Sequence, residues 1–368
     1  MLFALLACAL APAGAAPLLS PNSVWVIDSS LPGGFDQFDA VASPINLALK
    51  DLRRDWYKVL GVPPTVVQEV PGAPWDGDAA LVIALAPAGT APPESFTVAA
   101  STSPAGVPLL TVTGADVRGL IYGIFHVSAD FLGVDPLWWF NDVAPTYEAA
   151  GVAVPPGYAY ASGAPAFSSR GAFNNDEDLS GYFASSPLGD AVYNEHWADR
   201  FCEALLRLRV NTFIPSTFAF IDERHYRVAA KRGLRLGNHH VMPLGNNVMG
   251  WPRGVAYAYR LNPTPFKAAW QALVDFSQRD AGRDMVYSLG YRGVNDEPFW
   301  NEDKDCTTVE CRGATITDAI ATQRATALAT PVAQGGATPV FVACEVGAAA
   351  RKEVPRALPK HCAHSHTP

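Results

Sequence analysis

Apolar positions in the first 160 residues alternate between strand-like runs and helix-like spacing. Short, nearly continuous apolar runs predict buried strands at residues 24–27, 79–86 and 107–113. Apolar side chains recur on one helix face at Ile45, Leu49, Leu52, Trp56 and Leu60. A second helix is predicted over residues 116–132, and residues 145–165, rich in Pro, Gly and Ala, are the predicted linker. We therefore expect a small α/β domain over residues 20–160.

Beyond this domain, predicted strands and helices alternate regularly. The strands share short runs of apolar residues, at 167–173, 211–215, 234–238, 284–289 and 338–344. Helical spacing separates them, at 195–208, 223–232, 265–281 and 316–329. Alternating βα units imply a parallel sheet with crossover helices, either doubly wound or closed into a barrel. Because no glycine-rich phosphate-binding loop follows the first strand, we expect a partial (β/α)8 TIM-type barrel of about five units over residues 161–350.

The two ends of the chain depart from this pattern. Residues 1–16 combine an apolar run, a proline at Pro12 and small residues after it, which is typical of a secretory signal and its cleavage site. No Lys or Arg precedes the run, so an apolar N-terminal strand is the alternative. After about Lys352 the apolar periodicity fades, and residues 351–368 are expected to form an irregular tail. We accordingly expect a secreted protein.

Composition excludes several classes of protein. The chain carries 27 basic and 35 acidic residues, a net charge of -8, and no cluster of Lys or Arg, which argues against nucleic-acid binding. An apolar content of 49% and a charged content of 17% exclude a disordered chain. No later apolar run reaches the ~18 residues of a membrane span, so no membrane partner is expected.

Cysteine spacing adds one structural expectation. Cys306 and Cys311 flank a short polar loop and are predicted to form a disulfide in an oxidising compartment. Cys202 lies within a helical pattern, which favours a buried small apolar side chain.

Chemically active side chains follow the predicted barrel strands, where the catalytic groups of (β/α)8 barrels lie. The candidate catalytic residues are the carboxylates Asp176, Asp296 and Glu345. The candidate substrate-binding residues are Arg170, Asn175, His239, His240, Arg292 and Trp300. Glycosidic cleavage needs one protonated carboxyl as general acid and a second carboxylate that activates water or attacks the sugar. Arginines can hold a substrate carboxylate by bidentate bonds, and an aromatic ring suits the apolar face of a sugar.

Each of these groups also has a structural interpretation. Asp176 could belong to a solvated acidic loop, and Asp296 could form a turn before Pro298. Arg170 and Arg292 could be ion-pair partners within the barrel. Neighbouring His239 and His240 would point to opposite faces of an extended chain and so be badly placed to share a metal ion. No metal and no cofactor are expected.

Several of these segments resemble glycoside hydrolase family 115, the xylan α-1,2-glucuronidases. Residues 170–178, RGAFNNDED, are similar to the family signature RGxFxNDED, and residues 290–293 followed by Asp296 resemble its RGxxD element. Residues 205–211 and the His239-His240 pair that leads into Met242-Pro243 follow the same order. Upstream, residues 116–124 are similar to the family's N-terminal α/β domain, which hexosaminidases loosely share.

This resemblance implies an inverting glycosidase that removes (4-O-methyl)glucuronic acid from xylan, with a polysaccharide or oligosaccharide bearing glucuronic acid as its partner. It places Asp176, His239 and His240 in the sugar-acid pocket, Asp296 as an active-site carboxylate and Glu345 as the general acid. Inverting enzymes hold their carboxyls ~6.5–9.5 Å apart, leaving room for water.

The sequence also departs from the family. Its water-positioning Asp-Asp-Asn stretch, its remaining barrel strands and its later domains have no match here, so we interpret the chain as a C-terminally truncated member. The alternatives are a non-catalytic remnant that binds the same carbohydrate, a hexosaminidase-like glycosidase and, third, a metal-dependent hydrolase.

Overall fold

The structure is a computed structural model. It describes residues 19–28, 31, 43–69, 80–102, 106, 108–175, 195–216, 220, 223–279, 284–294, 297–329 and 339–343. The chain forms two compact units. The first consists of Met1–Arg170, Arg200–Asn211 and Lys231–Gly233, and the second of Gly171–Asp199, Thr212–Ala230 and Leu234–Pro368.

The first unit contains a mixed six-stranded sheet. Its elements in chain order are β1 (Val24–Asp28), α1 (Pro44–Leu60), β2 (Thr65–Glu69), β3 (Ala80–Leu85), β4 (Phe96–Thr102), β5 (Pro108–Gly114), α2 (Val117–Asp130) and β6 (Ala159–Ala161). The strand order is β2-β1-β3-β5-β4-β6. The first four strands in that order run parallel, and β4 pairs antiparallel with both β5 and β6.

Local sequence signals fix where the two helices of this sheet begin and end. The Ser43 hydroxyl accepts a hydrogen bond from the Asn46 amide at 3.1 Å and caps α1. The Asp116 carboxylate caps α2 by accepting from the Gly119 amide at 2.8 Å. Helix α1 ends at Gly61, whose φ of 80° is left-handed and suits a residue without a side chain. Both helices bury their apolar positions, as their spacing predicts.

The second unit contains a five-stranded sheet with a helix between consecutive strands. The elements in chain order are β7 (Gly171–Phe173), α3 (Glu195–Arg207), β8 (Thr212–Ile214), α4 (Arg224–Lys231), β9 (Arg235–Gly237), α5 (Pro263–Arg279), β10 (Met285–Leu289), α6 (Val309–Ala329) and β11 (Val340–Ala343). The order β11-β10-β9-β8-β7 is sequential, and every neighbouring pair is parallel. The prediction of an α/β chain with a parallel sheet is confirmed.

A buried ionic network holds part of α3 in the first unit. Arg54 of α1 binds Glu203 at 2.7 Å, Arg207 binds Asp55, and Arg232 binds Asp51. The Glu203 carboxylate also accepts from Arg207 Nε at 2.8 Å. Burial alone would raise the pKa of Glu203, but the guanidinium groups of Arg207, Arg54 and Arg200 hold it well below its ordinary value. Because these ions lie out of water, each depends on its partners.

A buried histidine of α2 packs against tyrosines in and next to β6. His126 of α2 stacks on the Tyr160 ring at 4.2 Å, and its Nε2 lies 2.9 Å from the Tyr158 hydroxyl. Its Nδ1 lies 3.5 Å from the Asp130 carboxylate. Burial lowers the pKa of His126; Asp130 opposes that shift and Arg209 adds to it.

Two features of the first unit differ from the sequence prediction. The strands β2, β4 and β6 were not predicted, because they are short or rich in small and polar residues such as those of β4, FTVAAST. The predicted linker over residues 145–165 is wrong where Val152 bridges Leu19 and where β6 joins the sheet. Short stretches of this kind carry little apolar periodicity and become strands through pairing with a neighbour.

Candidate active site

Buried polar side chains follow the strands of the second unit at their C-terminal ends. They are Asn174 after β7, Ser216 after β8, Asn238 and His239 after β9, and Arg292 after β10, each no more than 9% exposed. Parallel strands direct these ends to one edge of the sheet. Polar groups withdrawn from water in this way need hydrogen-bond partners, from the protein or from a ligand. This edge is the candidate site.

The two histidines after β9 lie side by side. Their ring centroids are 3.9 Å apart, and the Phe173 ring lies 4.9 Å from that of His239. The expectation of opposite directions is wrong, because the chain turns here, with the Met242 amide donating to the His239 carbonyl at 2.9 Å. His239 Nδ1 accepts from the Val241 amide at 3.1 Å, so the neutral ring carries its proton on Nε2. His239 can therefore donate a hydrogen bond through Nε2.

The backbone that precedes Arg292 is fixed by a glutamine. Gln323 of α6 is completely buried, and its carboxamide both accepts from the Gly290 amide at 2.9 Å and donates to the Gly290 carbonyl at 2.7 Å. The next residue, Tyr291, accepts from the Tyr259 amide at 2.7 Å through its hydroxyl. Burial raises the pKa of Tyr291, which keeps the phenol neutral. Arg292 therefore starts from a rigid backbone.

Close backbone approach also shapes the turn after Arg292. A Cβ on Gly293 would lie 2.7 Å from the Pro298 carbonyl oxygen, so only glycine fits. The Gly293 amide donates to the Glu297 carbonyl at 2.9 Å. The turn brings the chain back towards Trp300 in the short helical turn Phe299–Asn301.

Trp300 is half-buried, and the Arg312 guanidinium lies 4.2 Å from its ring centroid. Arg312 is held by its own Nε, which donates to the Cys306 carbonyl at 3.2 Å. The predicted pair Cys306 and Cys311 forms a disulfide that closes this loop. Because Arg312 occupies one face of the indole, a sugar ring would have to pack on the other face.

Arg170 is held in structural contacts, and its role in binding substrate stays a prediction. The strand predicted from residue 167 begins only at Gly171, so Arg170 precedes β7 instead of following it. Its guanidinium donates to Glu94 at 2.5 Å and to the carbonyls of Arg209 and Phe167, both at 2.7 Å. Asn211 donates to both oxygens of Glu94 at 3.0 Å. These contacts agree with the structural ion-pair interpretation of Arg170.

Of the remaining predicted site residues, the structure describes some and not others. Asn175 is exposed directly after buried Asn174. Asp176, Asp296 and Glu345 lie outside the described residues, so their roles stay predictions. Among the residues that the structure does describe, no group of three or more His, Cys, Asp and Glu is arranged to hold a metal ion. Within the same residues, no helix combines the length and apolarity that crossing a membrane requires.

Sequence reasoning missed two buried amides, Gln323 and Asn246. Gln323 occupies the buried face of α6, where helical spacing predicts apolar residues. A polar residue at such a position was the signal from which its role could have been inferred. Asn246 lies in the loop after β9, where strand and helix patterns make no prediction.

Comparison relates the unit that contains this parallel sheet and its polar C-terminal edge to the glycoside hydrolases. Residues 162–341 match the sequence profile described as glycosyl hydrolase family 115. This segment is similar in sequence to glycoside hydrolase family 115. No curated protein sequence matches the chain.

One solved structure shares the fold. It is described as a novel family GH115 4-O-methyl-α-glucuronidase, BtGH115A, with specificity for decorated arabinogalactans, and it matches with a TM-score of 0.64 and 24% identity. The match covers 84% of this chain and 40% of that one, so this chain spans less than half of its relative's length. A β-N-acetylhexosaminidase from Bacteroides fragilis matches at a TM-score of 0.46 and 10% identity, over 88% of this chain and 65% of that one. The second likeness is too low to support an argument.

Proposed function

We propose that this chain acts as a glycoside hydrolase that removes α-1,2-linked (4-O-methyl)glucuronic acid from a xylan-type polysaccharide. The observation that carries the proposal is the buried polar edge, which includes His239 and Arg292 and lies inside the segment matched to family 115. The relative BtGH115A, described as a 4-O-methyl-α-glucuronidase, supports this substrate class.

The proposed architecture is a partial (β/α)8 barrel of about five units after an N-terminal α/β domain of the hexosaminidase-like kind. Sequential parallel strands with a helix between each consecutive pair support the barrel assignment. The proposed domain limits are residues 20–160 and 161–350, with residues 1–16 as a secretory signal and residues 351–368 as a tail. Secretion is supported by the disulfide between Cys306 and Cys311, since such bonds persist in oxidising compartments.

In the proposed site, charge and hydrogen bonds select an acidic sugar. The Arg292 guanidinium holds the uronate carboxylate, a group that it can bind through two parallel bonds. His239 donates from Nε2 to a sugar oxygen and is kept in that tautomer by the Val241 amide. His240, Asn175 and Trp300 complete the sugar-binding surface.

The proposed reaction is a single displacement with inversion. A water molecule attacks the anomeric carbon while the bond to the leaving-group oxygen breaks, and that oxygen takes the proton of Glu345 as general acid. A carboxylate on the opposite face takes the proton of the attacking water; Asp296 is the candidate for this base, and Asp176 is a further candidate residue of the sugar pocket.

The test is the release of (4-O-methyl)glucuronic acid from glucuronoxylan, with decorated arabinogalactan as the second polymer. Wild-type chain should release the acid, and NMR should show the β-anomer first, as inversion requires. Glu345→Gln should abolish release, whereas Glu302→Gln, at an exposed position of the second unit, should leave it unchanged. Binding of glucuronate without release would favour the non-catalytic alternative, and failure to bind it would refute the proposal.

A further inference from the structure

The loop after β9 is buried along most of its length. Residues 241–248 are all buried, although loops ordinarily run over the protein surface. Successive turns hold its backbone. The Gly245 backbone N–H donates to the Met242 carbonyl at 2.8 Å, and the Asn246 backbone N–H donates to the Pro243 carbonyl at 3.1 Å. The loop also contacts β10, the strand that leads to Arg292. The loop that follows His239 and His240 is therefore built on a defined backbone.

Two successive left-handed residues precede Asn246. Leu244 is buried with φ of 50°, and Gly245 follows with φ of 72°. Glycine adopts this conformation easily, but a leucine does so only when its surroundings hold it there. Strained residues of this kind cluster at binding and catalytic sites, where they aim a neighbouring group.

The two asparagines that follow have different environments. Asn247 uses its side-chain oxygen to accept from the Met249 amide at 2.9 Å and so caps the next turn. Asn246 is only 6% exposed, and its Nδ2 has no hydrogen-bond partner among the residues that the structure describes. A buried amide donor is unfavourable unless another group accepts from it.

We propose that Asn246 is a further substrate-binding residue, whose Nδ2 donates a hydrogen bond to a hydroxyl or carboxylate oxygen of the bound uronic acid. This inference rests on the proposed function and extends it to a residue of the β9 loop. Asn246 is uncharged and contributes the same hydrogen bond at any working pH. In this proposal Asn246 contributes a directional hydrogen-bond donor, while Arg292 contributes the positive charge.

The experiment measures calorimetric affinity for D-glucuronic acid together with the melting temperature of the full chain. Asn246→Ala should weaken binding about tenfold or more, the effect of losing one hydrogen bond to a charged or polar ligand. Its melting temperature should stay the same or rise, because an unpaired buried donor has been removed. The matched control, Asn247→Ala, should lower the melting temperature through loss of its cap and keep wild-type affinity.

The outcomes separate the two proposals. Wild-type chain that does not bind glucuronate overturns the proposed function and this inference with it. Wild-type chain that binds, with equal affinity in Asn246→Ala, overturns only the inference. Asn246→Asp keeps the side-chain size and replaces the donor by an anion, so it should also weaken glucuronate binding. If both Asn246 variants fail to fold, the amide is structural and the inference is wrong.

Discussion

Gln323 binds the backbone of Gly290 through both ends of its carboxamide, at 2.9 Å and 2.7 Å, in a completely buried position. The pair ties α6 to the end of β10, two residues before Arg292. A side chain far from any expected chemistry thus sets the backbone from which the candidate substrate-binding arginine extends.

Replacing this glutamine by leucine should lower the stability of the protein. Gln323→Leu leaves the Gly290 N–H and C=O buried without their partner, which should lower the free energy of unfolding by about 2–4 kcal/mol. Urea unfolding followed by circular dichroism measures the change. Gln271→Leu, at an exposed position of α5, should change it by less than ~0.5 kcal/mol. Equal stabilities of the two variants would contradict the structural role of Gln323.

Arg292 should be needed for its shape as well as its charge. Arg292→Lys keeps the charge but loses the planar pair of donors, so affinity for glucuronate should fall about tenfold, roughly 1.4 kcal/mol. Arg260 is the matched control, because its guanidinium is already bound to Asp303 at 2.6 Å and 2.8 Å. Arg260→Lys should preserve affinity in the same calorimetric titration. An Arg292→Lys variant with wild-type affinity would rule out bidentate recognition.

The ionic network of the first unit predicts a large effect at Arg207. Arg207→Leu leaves Asp55 and Glu203 buried with one cation fewer, and breaking a buried pair from one side costs about 3–5 kcal/mol. Thermal unfolding gives the loss directly. Arg227→Leu, exposed on α4, serves as the control and should unfold like wild type. A mild effect at Arg207 would mean that water solvates the network.

His126 should make the stability of the protein depend on pH. Its folded-state pKa lies below the ordinary 6.5, because burial disfavours the charged ring, so the unfolded chain binds the proton more readily. Stability is fully present above pH 6.5 and falls as the pH drops below that value. His126→Gln should reduce the slope of unfolding free energy between pH 7 and 5 relative to wild type. Identical slopes in the two proteins would refute the assignment.

The sequence predicted the five parallel strands of the second unit because each is a compact apolar run between helices of regular spacing. It did not predict β4 or β6, whose small and polar residues become strands only through pairing. Arg170 was misplaced for a related reason: the apolar pattern starts β7 four residues too early, so the arginine that precedes the strand was assigned to it. Gln323 and Asn246 could not be found from periodicity, since their roles depend on burial and on backbone groups distant in sequence.

The order in which the first unit can fold follows from its discontinuous chain. Arg54 and Glu203 are 149 residues apart, so α1 leaves the ribosome long before its ionic partners do. At the usual 5–20 residues per second of synthesis, this interval lasts roughly 7–30 s. During that time Asp51, Arg54 and Asp55 stay hydrated, and the unit cannot close around them. Its folding can therefore be completed only after the chain has been translated through Arg207 and Arg232.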